Sequence, residues 1–334
     1  MIQNVYLEKE IIDHPRTEYI LSKLKKPNIL EINKFSEIFN LNNQSFRIQK
    51  KNPSLILARK RKGFVLPTPN GFGIGTNKNY YFSHMYNCIY DCRYCFLQGM
   101  YNSANFVVFV NFENYFSEIK KIVEFYKRDK ITFFSGYDCD SLALDGITNF
   151  VNVTLNNFKN IPTALIELRT KSVAIENLLS QKPIKNCVIA YSLLPEKASI
   201  ILDNKTPSIR RRIRALNKLV NHGWKIGLRF DPLIFYENWK KDYKELFSSI
   251  LGTIDVKSIH SVSCGPLRFP KKMYNKIFKL YPEEKIFSAS LELRNKSISY
   301  NRKIENEMIS FCHKEFKKYL SDSIIFSCTP DLTK

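Results

Sequence analysis

The stretch of sequence that decides the fold is residues 88–95, which read Cys88-Ile89-Tyr90-Asp91-Cys92-Arg93-Tyr94-Cys95. It holds three of the eight cysteines in a chain of 334 residues, and the other five are scattered. A tight group of three among scattered cysteines favours metal binding over disulfide bridging. Eight cysteines are also too sparse for a disulfide scaffold in a chain of this size, and a reducing compartment would keep them as thiols.

The Cys-x3-Cys-x2-Cys spacing suits a cubane iron–sulfur cluster, because three thiolates on one short loop can each bind a different iron. Cys88, Cys92 and Cys95 are therefore predicted to be ligands of a [4Fe–4S] cluster. Since the chain supplies only three ligands, one iron keeps open positions that can chelate a bound cofactor. The alternative is a structural zinc site that adds His84 as the fourth ligand, although zinc ligands normally come as two separated pairs.

Strands and helices alternate around this loop, which directly follows the first predicted strand. About six βα units in succession imply an α/β fold with a parallel sheet, either doubly wound or curved into a partial barrel. The predicted strands cover residues 80–86, 131–137, 163–170, 187–194, 225–233 and 258–264. The predicted helices cover residues 113–128, 147–158, 208–222 and 239–251.

The first 75 residues are predicted to form a separate basic N-terminal extension. They contain clusters of lysine and arginine and end in the Pro/Gly-rich stretch LPTPNGFGIG at residues 66–75. Such a stretch breaks regular structure and is typical of a linker or a loop. The expected domains are therefore residues 1–75 and residues 76–334.

Alternation along the predicted strands gathers polar residues on one face. Glu167, Arg169 and Lys171 share a side of the third strand, and Arg229 and Asp231 share a side of the fifth. In a barrel, the inward face and the carboxyl ends of the strands line the active site. These residues are expected at a polar barrel mouth, with buried salt bridges inside the barrel as the alternative.

The charge balance is lopsided, with 52 lysines and arginines against 31 acids and a net charge of +21. Strongly basic proteins attract phosphate backbones, so nucleic acid is a candidate partner, and a merely solvated basic surface is the alternative. The arginines between Arg210 and Arg214 are predicted to face solvent, because Ile209, Ile213 and Leu216 form an apolar helical face. No apolar run is long enough to span a membrane and the N-terminus lacks a secretory pattern, so a cytoplasmic location is expected.

The cysteine spacing, with an aromatic residue before the last cysteine, resembles the signature of radical S-adenosylmethionine enzymes. Within that superfamily, the chain resembles the spore photoproduct lyase family over roughly residues 75–334. The similar segments are Cys92–Gln98, Asp140–Asp145, Glu167–Ser172, Tyr191-Ser192 and Arg229–Pro232. The resemblance implies a partial (βα)6 TIM-type barrel with an N-terminal extension. It also implies that Lys171, Ser192 and Ser141 bind S-adenosylmethionine.

The resemblance further implies a cytoplasmic DNA repair lyase. An adenosyl radical would take hydrogen from a methylene-bridged thymine dimer, and the cross-link would fragment to two thymines. An electron donor such as flavodoxin or ferredoxin would reduce the cluster. Two other functions remain open: a radical enzyme of the same family acting on RNA, peptide or a small molecule, and a zinc-bound nucleic-acid-binding protein without catalysis.

The chain departs from this family near the expected hydrogen donor. Counted without gaps from Asp140, the donor cysteine's position holds Tyr137, and Cys139 lies two residues further on. The tyrosine before the third cysteine is kept as Tyr94, whereas the aromatic residue after it is Phe96, which has no hydroxyl group. Cys139 and Tyr94 are accordingly the predicted catalytic residues.

Overall fold

The computed structural model describes residues 2–127 and 129–328, and its elements are numbered here in chain order. The strands are β1 (Asn4–Glu8), β2 (Asn28–Ile32), β3 (Leu55–Ala58), β4 (Leu66–Pro67), β5 (Lys78–Phe82), β6 (Met85–Tyr86), β7 (Asp91–Cys92), β8 (Phe106–Phe109), β9 (Ile131–Ser135), β10 (Ala164–Thr170), β11 (Cys187–Ser192), β12 (Asp203–Asn204), β13 (Lys225–Leu233), β14 (Ile259–Pro266), β15 (Arg268–Pro270), β16 (Leu291–Arg294), β17 (Ser297–Tyr300) and β18 (Ile325–Ser327).

The α-helices are α1 (Pro15–Ser22), α2 (Phe46–Lys51), α3 (Leu97–Met100), α4 (Phe112–Phe125), α5 (Asp145–Thr148), α6 (Phe150–Phe158), α7 (Glu176–Leu179), α8 (Glu196–Leu202), α9 (Ile209–His222), α10 (Trp239–Leu251), α11 (Lys271–Leu280) and α12 (Arg302–Phe316). Short 3-10 helices cover Lys9–Ile11, Phe35–Glu37, Val256–Ser258, Lys285–Ser288 and Asp322–Ile324. None of the helices in the described ranges combines the length and apolarity needed to cross a bilayer.

The largest sheet has eight strands in the order β18-β14-β13-β11-β10-β9-β5-β4. All neighbours are parallel except β4, which pairs antiparallel with β5 at one edge. The sheet curls into a half barrel with helices on its outer face, which confirms the predicted partial (βα)6 barrel. Its six central strands correspond to the six predicted ones, and the fifth, Lys225–Leu233, has the predicted bounds.

Helix α9 illustrates how local sequence signals set the two ends of a predicted helix. Ser208 caps its first turn by accepting a hydrogen bond from the backbone N–H of Arg211. Its last residue, His222, is followed by Gly223 at φ 99°, the left-handed backbone that glycine adopts without steric cost. The buried face contains Ile209, Ala215, Leu216 and Leu219, which pack against the barrel. The predicted helix at 147–158 is instead split into α5 and α6 around Asn149, a left-handed residue.

The N-terminal residues form a second sheet in the order β2-β1-β3-β8-β6. Strands β6 and β8 come from beyond residue 75, so this sheet joins both sides of the predicted boundary. Its small core includes Val5, Leu57 and Val108, and Cys139 packs into the same cluster. Separate folding of residues 1–75 and 76–334 stays a prediction, whereas the sheet itself connects the two ranges.

The inside of the barrel is closed by a buried ion pair. Arg229 on β13 donates to both carboxylate oxygens of Glu167 on β10, at 3.2 Å from Nε and 2.7 Å from Nη2, and both side chains are fully buried. Arg229 also donates to the hydroxyl of Ser261 on β14 at 2.8 Å. Glu167 and Arg229 therefore form a buried salt bridge inside the barrel, which is the alternative that the sequence left open for these polar residues. Burial would raise the pKa of Glu167, but Arg229 and Arg169 outweigh it and lower that pKa to about 2.

Replacing Glu167 with Gln would leave the Arg229 guanidinium buried without its counter-charge, at an expected cost of about 3–5 kcal/mol in the free energy of unfolding. Because the folded-state pKa of Glu167 is depressed, its contribution is present above the unfolded pKa of about 4.3 and is lost as pH falls toward 2. Urea unfolding at several pH values measures both effects.

The exposed substitution Glu124→Gln is the control, with an expected change within about 0.5 kcal/mol. The difference in free energy of unfolding between Glu167→Gln and the unsubstituted protein should decrease as pH falls from 5 to 3. A gap independent of pH would contradict this account of the ion pair.

Candidate active site

A cavity of about 370 Å³ lies at the carboxyl ends of the barrel strands, where the cysteine loop crosses it. The predicted residues that line it are Cys88, Cys92, Tyr94, Cys95, Cys139, Lys171 and Ser192. They come from the loop after β6, the segment after β9 and the ends of β10 and β11. The structure therefore brings together all of the predicted site residues except Ser141.

Ser141 lies behind the cavity wall. Its hydroxyl donates to the backbone oxygen of Ser135 at 3.1 Å, and its backbone N–H donates to Arg169 at 3.0 Å. A Cβ atom at Gly136, where φ is 80°, would lie 2.6 Å from the Ser141 oxygen, so this turn requires glycine. Contact between Ser141 and a cofactor remains a prediction.

The cysteine loop contains little regular structure and is held by its neighbours. Strand β7 pairs antiparallel with β12, which places Cys92 opposite Asp203. The backbone N–H of Arg93 donates to Leu202 at 2.8 Å, and the Lys50 ammonium donates to the backbone oxygen of Cys88 at 2.8 Å. Contacts from α2, the end of α8 and β12 thus hold the loop in place.

The three thiols fit a cubane cluster better than a single ion. They share one cavity wall, yet within residues 2–127 and 129–328 no three Cys, His, Asp or Glu side chains converge closely enough to hold one metal ion. A cubane does not need convergence, because each thiolate binds a different iron. Burial raises the pKa of Cys88 to about 12, so iron must displace the thiol protons on binding.

The zinc alternative required His84 as a fourth ligand beside the three cysteines. His84 instead stacks on Phe150 with ring centroids 3.7 Å apart, and its Nδ1 atom is 3.9 Å from the sulfur of Cys139. Burial lowers the pKa of His84 to about 3, so the ring is neutral. This placement favours the interpretation of His84 as a buried structural residue.

A buried charge network supports the loop from the outside of the barrel. Arg212 contacts a carboxylate oxygen of Asp203 at 2.8 Å, and the Tyr94 hydroxyl donates to the other oxygen. Arg212 also donates to the backbone oxygen of Ser192 at 3.2 Å. One arginine therefore links the cluster loop, β12 and the end of β11.

The prediction that the α9 arginines face solvent is wrong for Arg212, whose side chain is fully buried. The sequence contained a signal for it, because Arg212 follows Ile209 by three residues and precedes Leu216 and Leu219 by four and seven. This helical spacing puts Arg212 on the buried face. Ile213, which is predicted from the sequence to lie on that face, is only half-buried.

Asp140 joins the segment after β9 to the end of β10. One carboxylate oxygen accepts from the Thr170 hydroxyl at 2.7 Å and from the backbone N–H groups of Leu142 and Ala143 at 3.0 Å. The other oxygen accepts from the backbone N–H of Lys171 at 2.7 Å. Asp140 therefore sets the backbone position of Lys171 relative to the cavity.

Lys171 places a charged ammonium group at the cavity. Burial would lower the pKa of its ammonium, but Cys92 and Asp203 outweigh that effect and raise the pKa. The ammonium lies 5.4 Å from the centre of the Tyr94 ring. This wall thus presents a lasting positive charge, which suits a carboxylate ligand.

Cys139 and Tyr137 both reach the cavity from the segment after β9. Cys139 is 8% exposed, and burial raises the pKa of its thiol well above the usual value, so the sulfur keeps its hydrogen. Tyr137 packs between Tyr81, at 4.4 Å between ring centroids, and Phe96, at 5.4 Å. The cavity therefore offers both a thiol and a phenol as hydrogen donors.

Two arginines also line the cavity. Arg169 and Arg268 line the cavity, and Arg268 binds the carboxylate of Asp231 at 3.1 Å and the sulfur of Cys328 at 3.2 Å. Arg169 lies over the ring of Phe72 at 5.4 Å. The predicted polar barrel mouth is present here, with Arg169 and Asp231 among its residues.

Comparisons with known proteins agree with this geometry. A family model described as spore photoproduct lyase matches residues 1–321. Spore photoproduct lyase of Clostridium acetobutylicum is 24% identical over 294 residues, covering 86% of this chain and 84% of that protein, and the Bacillus subtilis enzyme is 21% identical over 292 residues, covering 85% and 83%.

Solved structures share the whole fold. A spore photoproduct lyase variant with bound AdoMet and dinucleoside spore photoproduct superposes with a TM-score of 0.86 at 16% identity, covering 98% of both chains. A spore photoproduct lyase complexed with dinucleoside spore photoproduct gives a TM-score of 0.84 at the same identity and coverage.

The charge network around Asp203 predicts a large difference between two adjacent arginines. Arg212→Met would remove the direct ion-pair partner of the buried Asp203 carboxylate, at an expected cost of about 3–5 kcal/mol in the free energy of unfolding. Arg211→Met changes an exposed neighbour on the same helix and should cost no more than about 0.5 kcal/mol. Urea unfolding of both variants measures this, and equal costs would contradict the assigned network.

Proposed function

The chain belongs to the spore photoproduct lyase family, and on that ground we propose that it repairs the thymine photoproduct in UV-damaged DNA. Family membership makes it a radical S-adenosylmethionine lyase with a [4Fe–4S] cluster and S-adenosylmethionine as cofactors. The observation that carries the proposal is one cavity lined by three free cysteines, a half-buried lysine and a protonated thiol.

Cys88, Cys92 and Cys95 would hold the cluster, and the bound cluster with S-adenosylmethionine supplies a carbon radical to the cavity. Lys171 would bind the carboxylate of S-adenosylmethionine, since its charge persists despite burial. Ser192 would donate a hydrogen bond from the end of β11, beside Lys171 on the cavity wall. Asp140 positions Lys171 through its backbone and needs no contact with the cofactor.

Cys139 would return a hydrogen atom to the product radical, and the thiyl radical left on Cys139 would regain hydrogen from the adenosyl group that took the substrate's hydrogen. Its thiol lines the cavity, keeps its hydrogen and is supported from behind by the core of the N-terminal sheet. Tyr94 would take part in the hydrogen relay, with its hydroxyl fixed by Asp203. Both roles are proposals, and Tyr137 is the competing donor because it faces the same cavity.

DNA is the proposed partner at the cavity mouth. Arg169 and Arg268 place guanidinium groups there, and the net charge of +21 favours a polyanion. The reaction needs one electron from outside, and a flavodoxin or ferredoxin is the proposed source. Eight free cysteines and an iron–sulfur cluster suit a reducing compartment, which supports a cytoplasmic location.

The residue found at the expected hydrogen-donor position favours a second candidate function. Tyr137 stands where the family has its donor cysteine, and Phe96 lacks the hydroxyl group expected there. Both side chains shape the same part of the cavity. A radical enzyme of this family that acts on RNA, peptide or a small molecule fits these differences.

Repair activity is tested anaerobically with reduced protein, S-adenosylmethionine and UV-irradiated DNA. We expect four iron and four sulfide per chain and loss of the thymine photoproduct, measured by mass spectrometry of the digested DNA. Cys88→Ala should lose the cluster and all repair, whereas Cys187→Ala, a buried thiol in β11, should keep both. Adenosyl products without lesion loss would support the second candidate, and zinc without sulfide would contradict both.

The hydrogen donor is tested by comparing Cys139→Ala with Tyr137→Phe. If Cys139 is the donor, its replacement should slow lesion repair at least tenfold while S-adenosylmethionine binding is unchanged, because only the final hydrogen transfer is lost. Tyr137→Phe should then repair at close to the normal rate. The reverse pattern would assign the donor to Tyr137 and contradict the role of Cys139.

A further inference from the structure

Helix α8 exposes two large apolar side chains beside the cluster loop. Ile200 is 73% exposed and Ile201 is 55% exposed, whereas Ala198, Ser199 and Leu202 form the buried side of the helix. Two adjacent isoleucines this exposed are unusual next to an active site that depends on excluding water. They form an apolar surface that is available to a partner.

This surface is joined to the cluster loop by the backbone. The last residue of α8, Leu202, accepts a hydrogen bond from the N–H of Arg93, and the next residue, Asp203, pairs with Cys92. Two Cα–Cα steps and one antiparallel strand pair separate Ile201 from Cys92, which is at most about 13 Å between Cα atoms. An electron from a partner bound here would have a short covalent and hydrogen-bonded route to a cluster ligand.

The surface is also separate from the substrate entrance. Neither Ile200 nor Ile201 is among the residues that line the cavity. A protein docked on α8 could therefore stay bound while the cavity mouth is covered by substrate. This arrangement would let an electron donor reduce the cluster while substrate stays bound.

Exposed cations lie on the neighbouring helix α9. Helix α9, which shares a groove with the start of α8, carries Arg210, Arg211, Arg214 and Lys218 on exposed positions and no acid along its length. Glu196, Asp242 and Glu245 also line the groove, but Asp242 is bound by Lys197 at 3.1 Å and Glu245 is 4.0 Å from Lys241. Within the described ranges no acid forms an ion pair with the three arginines.

We propose that Ile200 and Ile201, flanked by the cations of α9, form the docking surface for a small acidic electron-transfer protein of the flavodoxin type. The donor's reduced flavin would give one electron to the oxidised cluster through the α8–β12–β7 connection and would itself be oxidised by one electron. The cations would steer the acidic partner and the isoleucines would fill its apolar contact. This inference rests on the proposed function, because the docked donor would supply the electron that reduces the cluster.

DNA is a weaker fit to the same surface. Helix α9 begins near the cavity mouth, where Arg212 reaches Ser192, but two exposed isoleucines offer nothing to a phosphate backbone. The arginines at the mouth, Arg169 and Arg268, are better placed for the lesion strand. The α8 surface therefore favours a protein.

The test is the double variant Ile200→Glu/Ile201→Glu, with labelled flavodoxin as the probe. We expect its affinity, measured by fluorescence anisotropy, to fall at least tenfold, because two acids replace the apolar contact and repel the acidic partner. Cluster reduction by reduced flavodoxin in stopped-flow absorbance should slow to a similar degree. Reduction by dithionite should be unchanged, since that small reductant needs no docking surface.

Phe125→Glu is the matched control, because Phe125 is 79% exposed at the end of α4, just before β9 begins. It should bind flavodoxin normally, and Arg210→Glu/Arg214→Glu should weaken binding most at low salt. Unchanged flavodoxin affinity in the isoleucine variant would overturn the docking surface, as would weakened binding of UV-irradiated DNA instead. If dithionite-reduced unsubstituted protein fails to cleave S-adenosylmethionine, the proposed function fails while the binding result still stands.

Discussion

Both fully buried arginines of the described barrel lie against a buried carboxylate, and these two pairs organise the molecule. Glu167 and Arg229 close the inside of the barrel below the cavity. Asp203 and Arg212 act on the outside, where they hold Tyr94, the end of β11 and the strand that pairs with Cys92. The first pair supports the floor of the cavity, and the second positions the loop that crosses it.

The barrel was predictable because its strands differ clearly from its helices in hydrophobic period. The fifth strand and α10 have the predicted bounds, and the cysteine loop follows β6 as expected. The cysteine spacing and the similar segments also led to the cavity residues, since Lys171, Ser192 and Cys139 line the same wall as the three cysteines. Local patterns of this kind can be recognised in the sequence because each depends on residues that are close together in the chain.

Contacts between distant segments were not predictable in the same way. Arg212 was assigned to solvent, since its partner Asp203 belongs to a two-residue strand that no periodicity reveals. Lys50 lies in a basic cluster that suggested a solvated extension, yet its ammonium reaches the backbone of Cys88. The pairing of β3 with β8 likewise depends on tertiary packing across the Pro/Gly-rich stretch. In each case the deciding partner lies far along the chain.

The order of strands in the N-terminal sheet has a consequence for biosynthesis. Strands β6 and β8 are neighbours in that sheet, and the cysteine loop lies between them in sequence. A growing chain must therefore release the three cysteines from the ribosome before β8 can complete the sheet. The loop itself pairs with β12 through Cys92 and Asp203, so it can reach its final position only after β12 has also been synthesised.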